Sequence, residues 1–140
     1  MDRISLRKEL RKIRQAFVLK RQNCFFDIAP RLRDALPPNA VVAGYVSNGK
    51  EPDTLPWLEL LAASDTPCAL PHIKTRDSAM GFRRWSVGDT LCDAPFGFLQ
   101  PSDDQATASP DVILTPLLGF DRAGNRIGQG AGHYDRYFAE

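Results

Sequence analysis

The sequence predicts an α/β fold with a mostly parallel sheet and a basic helix at its amino end. Two observations carry this. Short apolar runs alternate with helix-patterned segments, the mark of β–α–β units and a parallel sheet. The run AVVAGYV (40–46) is apolar throughout and rich in β-branched residues, as expected of a buried strand.

The elements follow in order. Residues 5–26 are helical in pattern, since Leu6, Leu10, Ile13, Phe17 and Leu19 recur at helix spacing and Arg and Lys fill the other face. A second helix over 28–36 is stopped by Pro37 and Pro38. The strand at 40–46 leads into the loop SNGKEPD, and a helix starts near Thr54 in TLPWLELLAAS, with Pro56 tolerated in its first turn. PCALPHI (67–73) and GFRRW (81–85) read as further strands, and 87–110 as loop. DVILTPLLGFD (111–121) is a fourth strand that runs into a loop at Pro116, and HYDRYFAE opens a helix. No internal repeat or low-complexity tract is visible.

At 140 residues and a formal net charge of +1, the chain suits one domain over 1–140 and argues against nucleic acid as the main partner. Cys24, Cys68 and Cys92 are odd in number and widely spaced, so reduced thiols are expected rather than a zinc or redox motif. The amino end is charged, not apolar, so no signal peptide is expected. No apolar run approaches the ~20 residues that span a bilayer. A cytoplasmic protein with no membrane partner is the expectation.

FDRAGNRIGQGAGHYDRYF (120–138) is the segment richest in chemistry. Gly128, Gly130 and Gly132 remove the Cβ from alternate residues, which allows positive φ and close approach of another group. Such a loop before a helix start can turn several N–H groups toward one anion, with Arg122 and Arg126 upstream to add charge-assisted hydrogen bonds. A structural turn with flexible glycines is the other reading. The spacing is neither a Walker loop nor the Rossmann fingerprint. Asp135 reads either as a Mg²⁺ ligand beside phosphates or as a helix-start carboxylate.

LTPLLGFDRAGNRIGQGAGHYDRY resembles the signature of the 5-formyltetrahydrofolate cyclo-ligase family: proline, apolar residues, Phe-Asp, a Gly-x-Arg-apolar-Gly step, then Gly-x-Gly-Tyr-Tyr-Asp-Arg. The likeness extends in order over nearly the whole chain, through RISLRKELRKIR, GKEPDT, ALPHI, FRRW, VGD and PFGFLQP. It implies conversion of 5-formyltetrahydrofolate to 5,10-methenyltetrahydrofolate with ATP and Mg²⁺, releasing ADP and phosphate.

The resemblance implies roles residue by residue. Arg3 and Arg7 fall on the family's ATP-contacting basic pair, and Arg126, Gly128, Gln129, Gly130, Ala131, Gly132, His133 and Tyr134 on its nucleotide loop. Asp135 falls on the Mg²⁺ aspartate, while Arg126 and Tyr134 are the expected catalytic pair. Glu51 falls on the folate-binding glutamate, and Met80 and Phe96 near positions lining the folate pocket, with Gln129, His133 and Tyr134 facing both ligands. Read as residues alone, Arg3 and Arg7 suit a solvated helix face, Glu51 an exposed loop, and Met80 and Phe96 core packing.

Departures are also present. Arg3 stands where Lys is common, His133 where Tyr is usual and Gln129 where a bulkier, often basic residue is common. Family members continue for several tens of residues past the Tyr-Tyr-Asp-Arg segment, with a second acidic residue near the metal. The expectation is that this part of the site is missing from the chain. These readings lead to a three-layer αβα domain, monomeric, acting as an ATP-dependent cyclo-ligase. The alternatives are a non-catalytic nucleotide- or folate-binding relative with an incomplete site, or an unrelated phosphate-binding α/β protein.

Overall fold

A computed structural model describes residues 1–20 and 30–140. The chain runs α1 (Arg3–Lys20), α2 (Pro30–Asp34), β1 (Val42–Ala43), α3 (Leu55–Ala62), β2 (Cys68–His72) and β3 (Gly81–Trp85). Then come β4 (Cys92–Asp93), β5 (Leu99–Gln100), β6 (Thr107–Ala108), β7 (Val112–Ile113), β8 (Gly119–Phe120), β9 (Arg126–Ile127) and α4 (His133–Phe138). The end of the expected first helix and the start of the second lie outside the described residues.

The main sheet has the order β6-β3-β2-β1-β7. β1 pairs in parallel with β2 (Val42 opposite Cys68) and with β7 (Val42 opposite Val112). The β2–β3 and β3–β6 pairings are antiparallel, so the sheet is mixed rather than mostly parallel. The reason is the connection. α3 supplies the crossover that a parallel β1–β2 pair needs, whereas residues 73–80 contain no helix and the chain turns straight back. The stretch 87–110, expected as loop, contains β4, β5 and β6, each two residues long and too short to show a periodic signal.

Alternation along the strands divides the core between the two faces of the sheet. Val42, Cys68 and Leu70 pack against Trp57, Leu58 and Leu61 of α3, at the i, i+1, i+4 spacing of one helix face. Ala43, Ala69 and Ile73 point the other way, toward Met80, Phe82 and the α4 tyrosines Tyr134 and Tyr137. The rings of Phe82 and Tyr137 meet edge-to-face at 5.0 Å. Helices thus meet both faces. The start of α3 is tied to the end of β1 by the buried Thr54 hydroxyl, which accepts from the Tyr45 N–H at 3.0 Å and donates to the Tyr45 carbonyl at 2.7 Å.

α1 is held differently, because none of its 18 residues is buried. Its half-buried stripe is Leu6, Arg7, Leu10, Arg14 and Val18, while Ile13 is 60% and Leu19 78% exposed. The apolar stripe expected from spacing is therefore only partly the inward one. Two arginines take its place because the surface beneath α1 offers backbone carbonyls and a carboxylate, which need donors rather than apolar cover.

Candidate functional site

A cavity of about 480 Å³ opens at the carboxyl ends of the parallel strands. Tyr45 and Val46 follow β1, Pro71 and Ile73 come from the end of β2, and Pro116 follows β7. β1 lies between two parallel neighbours, β2 on one side and the later β7 on the other, and the crevice at such a switch point is where open α/β sheets expose backbone and side chains to a ligand.

One wall is the glycine loop. Gly130 has φ +119° and Gly132 φ +75°, where a side chain would be strained. A Cβ on Gly130 would lie 3.7 Å from the guanidinium carbon of Arg7, so the loop and α1 approach closely. Arg7 Nε donates to the Gly128 carbonyl at 2.9 Å, and Arg11 donates to the Gln129 carbonyl at 2.9 Å and to Gln129 Oε1 at 3.1 Å. Arg126 donates to Asp135 Oδ1 at 2.7 Å and lies over the Tyr134 ring at 5.5 Å. α4 starts at Gly132 without a side-chain cap and has six residues, so its dipole adds little to the cationic side chains.

The opposite wall is aromatic. Phe96 and Phe98 stack with centroids 6.2 Å apart, and Phe96 meets His133 edge-to-face at 4.9 Å. Met80 lines the cavity and also packs in the core beside Phe82, so the pocket and core readings of this residue both hold. Arg76 lies over the Phe96 ring at 5.6 Å. Burial, and then the neighbouring Arg136 cation, hold His133 below the ordinary imidazole range.

Between the walls stands Glu51, its side chain only 9% exposed. Burial raises its carboxyl above the ordinary value, against the opposing pull of an Asn48 backbone hydrogen bond and the Arg14 cation. Tyr45 is pushed up to about 12 by burial and then by the charges of Glu51 and Asp53. Tyr134 is raised by burial and then by Glu51 and Tyr45. Both phenols therefore remain neutral donors near neutral pH.

All the residues that the family resemblance singles out line this one cavity, whereas Arg122, expected beside Arg126 at the anion, does not. Arg3, Arg7, Arg126, Gly128, Gly130, Ala131 and Gly132 lie in its wall, as do Gln129, His133, Tyr134 and Asp135, and from other elements Glu51, Met80 and Phe96. Arg122 is exposed in the β8–β9 turn and is not part of the wall. Tyr45, Asn48 and Phe98 were not anticipated. Phe98 lies two residues from Phe96 in PFGFLQP, which is a legible signal; Tyr45 was hidden at the end of an apolar strand.

Among the described residues, no group of three or more His, Cys, Asp or Glu could hold a metal. The Asp121 carboxylate is occupied by its own turn, accepting from the Ala123 and Asn125 N–H groups at 2.9 Å. Asp135 is a single carboxylate whose side chain is 79% exposed. That donor set fits Mg²⁺ shared with phosphate oxygens and water, and does not fit an all-protein cage. No described helix is long and apolar enough to cross a membrane.

The molecule is thus an α/β domain whose cavity at the strand ends is cationic and glycine-lined on one side and aromatic on the other. Residues 1–140 match the 5-formyltetrahydrofolate cyclo-ligase family, and the chain belongs to it. It is 35% identical to a 5-formyltetrahydrofolate cyclo-ligase of Mycolicibacterium smegmatis over 104 residues, covering 68% of this chain and 53% of that protein. It is 31% identical to the cyclo-ligase of Escherichia coli over 100 residues, covering 68% and 55%. The chain thus spans about half the length of these curated relatives. The fold is that of a 5,10-methenyltetrahydrofolate synthetase from Mycoplasma pneumoniae, at TM-score 0.63 and 19% identity over 100% of this chain and 79% of that one. An Aquifex aeolicus synthetase superposes at TM-score 0.60 and 21% identity, over 99% and 64%.

Proposed function

We propose that the chain catalyses ATP- and Mg²⁺-dependent conversion of 5-formyltetrahydrofolate to 5,10-methenyltetrahydrofolate, with release of ADP and phosphate. The single observation that supports this most is the division of one cavity into a cationic glycine wall and an aromatic wall with a buried carboxylate between them. An anionic chain and a flat heterocycle held side by side are what the reaction needs.

In this reading Arg3, Arg7 and Arg126 bind phosphate oxygens, and the loop from Gly128 to Tyr134 wraps them. Asp135 would hold Mg²⁺, which would offset negative charge at the phosphates. When bound, ATP supplies the phosphoryl group that makes the formyl oxygen a leaving group, and Mg²⁺ offsets its charge. Glu51 accepts N–H groups of the folate ring, while Met80, Phe96 and His133 pack against its faces and edge. Tyr134, a neutral donor beside Arg126, steadies the charge that develops near the formyl oxygen, and Gln129 and His133 bridge the two ligands. We further expect a monomeric, cytoplasmic protein with a three-layer αβα domain.

The test is turnover. With 5-formyltetrahydrofolate, ATP and Mg²⁺, the methenyl product should form with one phosphate released per cycle. Binding of both ligands without product would favour a non-catalytic relative. Failure to bind either ligand would defeat both readings.

A further inference from the structure

Glu51 lines the cavity, but the cation that opposes its protonation stands behind that wall. Arg14, on the inward stripe of α1, brings Nη1 to 4.0 Å from Glu51 Oε1, with the two side chains 16% and 9% exposed. Arg14 is not among the cavity-lining residues. Its Nη1 is buried and has no hydrogen-bond acceptor among the described residues, a condition that native proteins rarely leave unrelieved. The anion it faces is Glu51, just beyond hydrogen-bond reach.

The surroundings leave this task to Arg14. Among the described residues, the titratable and charged groups that face Glu51 are Arg14 from α1, Tyr45 after β1 and Tyr134 from α4; Asp53 and Arg126 act on those two phenols. Burial favours the protonated acid, which can donate one O–H but is a poorer acceptor for ring N–H groups than the carboxylate. On α1, Arg7 and Arg11 place donors on the Gly128 and Gln129 carbonyls, whereas Arg14 is the α1 cation paired with Glu51.

We propose that Arg14 is a positioning residue: without touching the substrate, it keeps Glu51 ionised and aimed into the cavity, and it closes to hydrogen-bond distance when the heterocycle binds. The proposal rests on the reading of Glu51 as the acceptor for the folate ring. It makes α1 specific to each half of the site, with Arg7 and Arg11 serving the glycine loop and Arg14 serving the ring.

The experiment compares Arg14→Gln, Arg14→Lys, Glu51→Gln and the Arg14→Gln/Glu51→Gln double variant in the full chain, with folding checked by circular dichroism. Arg14→Gln should raise KM for 5-formyltetrahydrofolate about tenfold, the scale of one charge-assisted hydrogen bond, and leave KM for ATP nearly unchanged. Arg14→Lys should recover most of that loss, and the double variant should be no worse than Glu51→Gln alone. In a carbon-13 titration, the Glu51 carboxyl should titrate at higher pH in Arg14→Gln than in the parent protein. Equal rises in both KM values, fully additive losses or an unmoved Glu51 titration would overturn the proposal. If Glu51→Gln leaves folate KM unchanged, it is the reading of Glu51 that fails, and the carboxyl titration still decides whether Arg14 governs that group. If Arg14→Gln does not fold, the nitrogen-15 signals of Arg14 carry the test: they should shift when 5-formyltetrahydrofolate is added to the parent protein but not to Glu51→Gln, and no shift in the parent overturns it.

Discussion

α3 and α1 are both amphipathic helices, yet they are fastened to the sheet by opposite means. α3 buries Trp57, Leu58 and Leu61 against Val42 and Leu70, so its attachment is hydrophobic and does not depend on any partner's charge. α1 buries no residue and is anchored by Arg7 and Arg11 to carbonyls of the glycine loop and faces Glu51 through Arg14. α3 therefore stabilises the domain, while α1 organises the cavity. Changes in α3 should appear as stability, and changes at the loop that α1 grips should appear as ligand binding.

The largest effect should come from the core. Leu58 is fully buried, so Leu58→Ala should cost about 3 kcal/mol in chemical denaturation. Ligand affinity of the fraction that remains folded should be nearly unchanged. A loss of affinity without a loss of stability would erase the contrast between the helices.

Next is Gly130→Val. The new side chain would have to adopt φ +119° and would point at the Arg7 guanidinium. Calorimetry should show ATP affinity reduced about a hundredfold or more, against a stability cost of about 1–3 kcal/mol for the strained backbone. Undiminished ATP affinity in a folded variant would remove the phosphate reading of the loop.

Asp135→Asn separates the metal role from the ion pair with Arg126. The Asp135 carboxylate is 79% exposed and so screened by water, and its loss should cost less than about 1 kcal/mol of stability. Turnover should fall about tenfold or more, with a higher Mg²⁺ midpoint, because asparagine lacks the negative charge. A magnesium titration identical to that of the parent protein would end the metal assignment.

The smallest effect sharpens the comparison from the other side. Glu51 has its carboxyl raised above the unfolded value, so its contribution to stability is complete below the ordinary carboxylate range and is lost as pH rises through the folded value. Glu51→Gln should therefore raise Tm slightly at pH 7, and the gain should vanish toward pH 4, while folate binding weakens. A Tm that falls at pH 7 would mean that Glu51 supports the fold rather than the ligand.

Much of the site was legible in the chain itself. The segment from Phe120 to Phe138 announces its chemistry because glycines, arginines and an aspartate lie at fixed short spacing, and local spacing survives folding. The helix at Thr54 and the strand GFRRW were equally readable, since start signals and side-chain alternation are local. Pairing direction was not readable from periodicity alone, and the reversal at 73–80 made the sheet mixed.

The α/β class, the glycine loop and the cationic character of α1 can all be read from neighbours along the chain. Only the tertiary structure decided which side of α1 faces inward, that Phe98 joins Phe96 in one wall, and that Arg14 of the first helix meets Glu51 of a distant loop. The physical reason is that buried charge and ring stacking depend on groups brought together across the fold, and no periodicity in a single segment records what will lie opposite it.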